Sequence, residues 1–195
     1  MDDLVNVVIT TYGRTQELKR AINSVVNQTY SNLKIIIIDD NVDLKLTEKV
    51  KEIVKEFNDS RLFYFKNEKN LGGALSRNEG IRRCESNYVA FLDDDDEYLE
   101  NKVEKQLELL KNSSEKTALV YCYCYGIKDG KITKRYHYDL TGNCIFEGMK
   151  MCIAATSQWL CKKDYLESVG CFSNVPCKQD STVIVKLLCR RLRNR

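Results

Sequence analysis

Four consecutive carboxylates, Asp93 to Asp96, follow directly on the apolar run Tyr88 to Leu92 in the stretch N-Y-V-A-F-L-D-D-D-D-E-Y, residues 87–98. Four like charges side by side repel one another and cost stability unless something cationic sits among them. Oxygen-only ligands of this kind suit a hard divalent ion, with magnesium and manganese the natural candidates. The apolar run is too short for a helix and suits the buried centre of a parallel sheet. In open α/β sheets ligands bind beyond the carboxyl ends of the strands, where these aspartates would stand. The plainer alternative is a solvated acidic turn capping the next helix, since Asp is a good N-cap and favours helix N-termini. On this stretch alone the two readings weigh about the same.

The elements that must position these groups alternate. A β-branched run over 4–10 reads as a buried strand, then comes the turn Thr11-Tyr12-Gly13-Arg14. Leu18, Ala21, Ile22, Val25 and Val26 follow at helical spacing. The run L-K-I-I-I-I (33–38) is a second strand, ending in another carboxylate pair, Asp39-Asp40. Leu46, Val50, Ile53, Val54 and Phe57 mark a second helix, and 61–65 a third strand. Gly72-Gly73 precede a short helix, the aspartate strand follows, and Leu99, Val103, Leu107 and Leu110 mark a fourth helix that Asp96 would cap. Strand–helix alternation implies a parallel, doubly wound sheet with helices on both faces. The turns after its first, second and fourth strands then gather at one edge, which is the layout of a nucleotide site.

The second half changes texture. One long strand is expected over 117–127, with Asp129-Gly130 as a hairpin signal before 131–138. Residues 141–155 give no clear pattern. A strand is expected over 157–161, a short helix over 165–169 ended by Gly170, and a last helix with Ile184, Leu187, Leu188 and Leu192 inward, fronted by Lys178-Gln179-Asp180.

At 195 residues, 43% hydrophobic and 30% charged, the chain is an ordinary globular protein with one domain as the default. The change of texture divides it into the halves 1–112, which carries the nucleotide-site layout, and 113–195. A net charge of +3 is too small to argue for nucleic acid, and Arg190, Arg191, Arg193 and Arg195 account for more than all of it. Such a basic end can touch anionic lipid, although a solvated helix end is the commoner case. Nine cysteines form no C-x-x-C pair and the one histidine is His137, so zinc is disfavoured and reduced, partly buried thiols in a cytoplasmic protein are expected. No secretory leader and no transmembrane run is evident. His137 is expected on the surface of the hairpin.

Two nucleotide signatures are missing. There is no G-x-x-x-x-G-K-[ST], and Tyr12-Gly13-Arg14 stands where a dinucleotide fold would carry G-x-G-x-x-G. With neither a glycine cradle nor a lysine clamp, a diphosphate calls for a metal, and the aspartates would supply its ligands.

Across nearly its whole length the chain resembles family 2 glycosyltransferases of the GT-A fold. The pieces come in order: V-V-I-T-T-Y-G-R (7–14), R-A-I-N-S-V-V-N-Q-T-Y (20–30), I-I-I-I-D-D-N (35–41), N-L-G-G-A-L-S-R-N-E-G-I (70–81), F-L-D-D-D-D-E-Y (91–98), V-G-C-F (169–172) and K-Q-D (178–180). Any one is weakly specific; the ordered set is strongly so. The resemblance implies a mostly parallel Rossmann-like sheet with a smaller mixed β portion on the acceptor side. It implies an inverting, metal-dependent transfer of sugar from a nucleotide diphosphate, UDP first, to a carbohydrate or lipid-linked acceptor in cell-surface polysaccharide assembly, with peripheral contact at the cytoplasmic membrane face.

It also implies residue roles. Thr10, Thr11, Tyr12 and Arg14 would line the nucleotide pocket, Tyr12 stacking and Arg14 near the phosphates. Asp40 would accept from the uracil N3–H, with Asp39 assisting or only capping its strand, and Arg77 would face the nucleotide or serve structure alone. Asp93 and Asp95 form the family's D-x-D, Asp95 on the metal and Asp93 on ribose or a metal-bound water. Asp94 is the rival, because four aspartates in a row leave the register open. Asp180 fits the catalytic base and would serve equally well as an N-cap.

The family usually has Pro at Thr10, Asn at Gly13 and an acid at Gln179. Its members usually continue past the last helix, so the acceptor-side half is expected to be incomplete or the protein a short form. Two other activities share parts of this pattern. A sugar-nucleotide nucleotidyltransferase would need a Gly-rich basic loop after the first strand, of which T-T-Y-G-R is a poor version. A non-catalytic nucleotide-sugar-binding module would tolerate loss of Asp180.

Overall fold

The computed structural model describes residues 3–136, 138–142 and 144–193, with side chains described as far as residue 190. His137 and the side chains of Arg191, Arg193 and Arg195 lie outside the described residues. The chain runs β1 (Val5–Thr11), α1 (Thr15–Val26), β2 (Leu33–Asp39), α2 (Leu44–Glu56), β3 (Leu62–Lys66), α3 (Gly72–Arg82), β4 (Tyr88–Asp93) and α4 (Lys102–Asn112). The second half adds β5 (Leu119–Tyr121), β6 (Cys124–Lys128), β7 (Lys131–Tyr136), α5 (Ile145–Lys150), a 3₁₀ turn (Thr156–Gln158), β8 (Trp159–Lys162), α6 (Lys163–Ser168) and α7 (Gln179–Arg193).

The four apolar runs become four parallel strands, in the order β3-β2-β1-β4. β8 joins β4 antiparallel and β5 joins β8 antiparallel, closing a mixed six-stranded sheet. The chain therefore steps outward from β1 to β3, then returns to the other side of β1 for β4. That reversal opens a crevice at the carboxyl ends of β1 and β4.

Successive strand residues point to opposite faces, and each face has its own core. Val5, Val7, Ile9, Ile35, Ile37, Ala90 and Leu92 pack on α1, α2 and α4. Val8, Ile36, Ile38, Val89 and Phe91 pack on α3, α6 and α7. α3 comes so close to β1 that a Cβ on Gly80 would lie 2.2 Å from Cγ1 of Val8. Only hydrogen fits there. On the second face Trp159 and Phe172 stack at 6.0 Å, and both meet Phe91 edge-on.

Three local expectations change. The strand expected over 117–127 breaks at Cys122-Tyr123, because β5 stays in the main sheet while β6 leaves it to pair with β7. α4 starts at Lys102 with Asn101 at its N-cap position, so Asp96 caps no helix, and Leu99 is 70% exposed ahead of it. Gly72-Gly73 form the first turn of α3 instead of preceding it. The unreadable stretch 141–155 contains the short α5, where the structure alone supplies the pattern.

Two measurements check this packing. Gly80→Ala should destabilise by about 1–3 kcal/mol through overpacking against Val8, read by urea denaturation. Arg61 ties Asp59 to Val26 O and holds its carboxyl below the usual aspartate value, chiefly through their side-chain hydrogen bond. A depressed carboxyl stabilises above its unfolded value of 3.8 and loses that contribution as pH falls through the folded value. Asp59→Asn should therefore be less stable than wild type at neutral pH, and melting curves should converge as the solution is taken below pH 3.8.

Candidate functional site

The sheet ladder places Thr10 opposite Asp93 and Thr11 opposite Asp39. Backbone hydrogen bonding alone thus aligns three of the expected residues with the first aspartate of the run. The four aspartates then part company. Asp94 turns inward, 2% exposed, and takes bonds from Thr11 Oγ1 at 2.8 Å, Tyr12 N at 3.2 Å and Arg14 Nε at 2.9 Å. Burial raises its pKa, and the Thr11 bond and the Arg14 charge oppose that rise. Asp95 turns outward and pairs with Arg14 Nη1. Asp93 pairs with Arg77 Nη2 across the cleft, and its backbone N–H donates to Ser157 Oγ at 3.1 Å. Asp96 has its pKa raised, first by desolvation on the cleft rim and then by the charges of Asp93 and Asp95.

The cationic neighbours that the run requires are therefore Arg14 and Arg77. In this geometry Asp93 and Asp95 face the cleft, and Asp94 is a buried tether for the β1–α1 turn, its oxygens holding Thr11, Tyr12 and Arg14.

Asp39 and Asp40 are buried too. Asp39, fully buried, accepts from Asn41 N at 2.9 Å, Asn41 Nδ2 at 2.7 Å and Tyr64 OH at 2.7 Å. Its carboxylate raises the Tyr64 pKa, second to the effect of burial. Asp39 closes its strand end. Asp40, 4% exposed, accepts from Asn67 Nδ2, Leu71 N and Gly72 N, each at 2.8 Å. Those bonds fix the start of α3 and with it the position of Arg77. A carboxylate has about four lone-pair sites, so one remains on Asp40.

Asn41 completes the frame by accepting from Gly13 N at 2.7 Å. Tyr12, 57% exposed, forms a wall of a cavity of about 430 Å³ with Gly13, Asn41, Val42, Asp43 and Leu46. An exposed ring over a shallow cavity can stack a planar group. A larger groove, about 970 Å³, runs along β5 and α7 and is lined by none of the cleft aspartates.

Arg77 joins the halves. Besides Asp93 it donates to Gln179 Oε1 at 3.3 Å, and its guanidinium lies 5.6 Å over the Phe172 ring. Gln179 opens α7, so Asp180 lies in the first turn of that helix beside the cleft. Asp180 Oδ2 accepts from Cys152 Sγ at 3.5 Å. The neighbour of Arg77, Asn78, exchanges two bonds with the Phe172 backbone, at 2.9 and 3.0 Å. The R-N pair thus serves both readings, Arg77 facing the cleft and Asn78 holding structure.

Sequence reasoning missed Asn41, Asn67, Ser157 and Cys152. Asn41 had a signal in its place in the 35–41 motif, and the other three carried none.

No three acid, histidine or cysteine side chains converge as a cation cage among the described residues. A magnesium-like ion needs only one or two carboxylates when substrate phosphates supply the rest. Asp95 and Asp93, with side chains 47% and 31% exposed, fit that requirement as hard oxygen donors.

The model for "Glycosyl transferase family 2" matches residues 6–172 of the chain. The chain belongs to this family. The match takes in β1 to Phe172 and ends before Asp180. An uncharacterized glycosyltransferase of Methanocaldococcus jannaschii is 37% identical over 137 residues, 68% of this chain and 46% of that protein. The Escherichia coli UDP-Glc:alpha-D-GlcNAc-diphosphoundecaprenol beta-1,3-glucosyltransferase WfgD is 35% identical over 115 residues, 58% of this chain and 44% of that protein. The chain spans about half the length of these relatives.

Among solved structures, Staphylococcus aureus TarS 1-349 in complex with UDP-GlcNAc superposes with a TM-score of 0.74 at 16% identity, over 96% of this chain and 53% of that one. The mannosyltransferase PcManGT of Pyrobaculum calidifontis, in complex with GDP-Man and Mn2+, gives 0.71 at 15% identity, over 94% and 51%. These likenesses show the fold, which is the GT-A-type α/β fold the sequence implies.

The division of the family's aspartates into buried and exposed members has a direct test. Asp94→Ala leaves Thr11 and Arg14 without their partner and should cost about 1–3 kcal/mol. Asp95→Ala removes only an exposed pair and should change stability by less than about 1 kcal/mol. Chemical denaturation of the two variants compares them.

Proposed function

We infer that the chain is the catalytic part of an inverting, divalent-metal-dependent glycosyltransferase. Its donor is a nucleotide diphosphate sugar, UDP-linked, and its acceptor is a carbohydrate on a lipid carrier, as in cell-surface polysaccharide assembly. Family membership supports the class. The activity named for the Escherichia coli relative, from a UDP sugar to a diphosphoundecaprenol-linked sugar, supports donor and acceptor. The observation that carries the reading is the cleft itself: Asp93 and Asp95 face it with Arg77 and Arg14 at their side, and Tyr12 stands exposed at its edge.

Asp95 would hold a divalent ion, with Asp93 toward the ribose or a water on that ion, and the ion would supply charge neutralisation for the diphosphate leaving group. Tyr12 stacks the base above the cavity it lines, with Thr10 and Thr11 along the same strand end. The remaining site of Asp40 takes the uracil N3–H, and the buried bonds of Asp39 hold that strand end still. Arg14 and Arg77, now paired with Asp95 and Asp93, lie where the donor's phosphates enter and offset their charge. Asp180 exchanges its Cys152 contact for the acceptor hydroxyl and takes its proton. The hydroxyl oxygen attacks the anomeric carbon as the bond from that carbon to the diphosphate oxygen breaks, with inversion. The site of action is the cytoplasmic face of the membrane, reached peripherally; no helix among the described residues is long and apolar enough to cross a bilayer.

Thermal melting with UDP, GDP, ADP and CMP, each with and without manganese, tests the donor site. UDP with manganese should raise stability by about 2.7 kcal/mol at a hundredfold excess over Kd, and Asp95→Ala should abolish the metal-dependent part. Loss of Asp180 in Asp180→Asn should lower kcat about 10²–10⁴-fold with little change in donor KM, as for removal of a general base. Metal-dependent binding without turnover, indifferent to Asp180, would make the chain a nucleotide-sugar-binding module.

A further inference from the structure

After Cys122 the chain leaves the main sheet and folds back as an isolated ribbon, β6 paired antiparallel with β7. Asp129 and Gly130 form its turn with φ of 52° and 71°, the left-handed pair that a tight hairpin of type I′ requires. Neither strand pairs with the main sheet, and all of β7 is exposed. A two-stranded ribbon with no packed face is marginal in water.

Cross-strand partners share a face, which sorts the side chains. Tyr125 opposite Arg135 and Ile127 opposite Ile132 lie on one face, because the extra residue Thr133 sits beside Lys134 opposite Gly126 at a bulge between the two pairs. Cys124 opposite Tyr136, Gly126 opposite Lys134 and Lys128 opposite Lys131 lie on the other. Ile127 and Ile132 are 69% and 55% exposed, although each is the other's partner. The ribbon carries Lys128, Lys131, Lys134 and Arg135 against a single acid, Asp129. Among the described residues none of these four cations makes an ion pair. Two of them lie over rings instead: Lys134 is 4.6 Å from the Tyr136 centroid, and Arg135 is 5.8 Å from that of Tyr125.

We propose that the β6–β7 ribbon is the surface by which this protein docks on an anionic phospholipid bilayer. Tyr125, Ile127 and Ile132 enter the interfacial layer, Arg135 on the same face and Lys128 and Lys131 at the tip reach lipid phosphates, and Lys134 stays over Tyr136 on the opposite face. An apolar pair beside uncompensated cations matches a surface that is apolar below and uniformly anionic above. Lysine and arginine stems extend along apolar surface while their heads stay with the phosphates, and tyrosine has the same divided character. The choice of a lipid over a protein partner rests on the lipid-linked acceptor inferred above. The test needs no turnover, so the two readings can fail separately.

The experiment is co-sedimentation of the chain with vesicles of phosphatidylcholine alone and of phosphatidylcholine mixed with phosphatidylglycerol, across a salt series. Wild type should bind the anionic vesicles and release as salt rises. Lys128→Gln with Lys131→Gln should weaken that partition about thirty-fold, since each cation near such a surface contributes about fivefold. Ile127→Thr with Ile132→Thr keeps β-branching, and should weaken binding in a way that lowering the salt does not restore. All four positions are exposed, so unchanged melting of the unliganded variants serves as the fold check. Wild type that ignores anionic vesicles, or ribbon variants that bind them as wild type does, would overturn the proposal. So would self-association through the ribbon in place of lipid binding, seen by sedimentation equilibrium. UDP–manganese stabilisation, measured on the same samples, reports separately on the transferase reading.

Discussion

Crowding of negative charge at the end of β4 is the constraint on which the rest of the cleft depends. Four adjacent carboxylates cannot all face one solvent pocket without an opposing charge, and the fold meets this in two ways. It turns Asp94 into the protein, where threonine, arginine and backbone donors hold it. It also gives the outward pair, Asp93 and Asp95, an arginine each. Arg14 comes from the turn after β1 and Arg77 from α3, so relief of one local repulsion ties three segments distant in sequence. Two guanidinium charges set against four carboxylates offset only part of that negative charge.

The buried carboxylates share a job. Asp39, Asp40 and Asp94 end or follow strands where regular pairing stops and backbone N–H groups lose their ladder partners. Each accepts from a neighbouring loop: Asp94 from the β1–α1 turn, Asp39 from Asn41, Asp40 from the start of α3. Asn41 carries the chain of bonds from Asp39 on to Gly13. The carboxyl ends of these strands are thereby one hydrogen-bonded frame. Tyr12 and Asp95 stand out from that frame into solvent, which is what a ligand-facing group must do.

The second half of the chain is joined to this frame by packing and by one guanidinium. Trp159, Phe172 and Phe91 form an aromatic cluster beneath the cleft, with Trp159 Nε1 satisfied by Ala154 O at 3.1 Å. Asn78 holds the Phe172 backbone, and Arg77 passes over the ring to reach Gln179. The V-G-C-F motif thus places α7 by way of α3, and Asp180 comes to the cleft because the aromatic cluster and Arg77 fix the first turn of its helix. The ribbon of β6 and β7 stands apart from this arrangement and shares neither core, which leaves its apolar pair available to a surface outside the protein.

The sequence by itself determined the parallel half of the sheet. Unbroken β-branched runs have one stable home, a strand covered on both faces, and their spacing by amphipathic helices leaves little choice of topology. It also determined which strand ends carry the charged groups, because charge following directly on a buried run must lie at the sheet's edge. Local pattern could not tell which of four adjacent aspartates faces solvent, since that depends on the positions of Thr11, Arg14 and Arg77 in space. Nor could it show that Asp40 faces α3, that Asp96 caps nothing, or that one apolar run divides between two sheets at Cys122. Each of those outcomes is set by partners far along the chain, and only the tertiary structure brings those partners within reach.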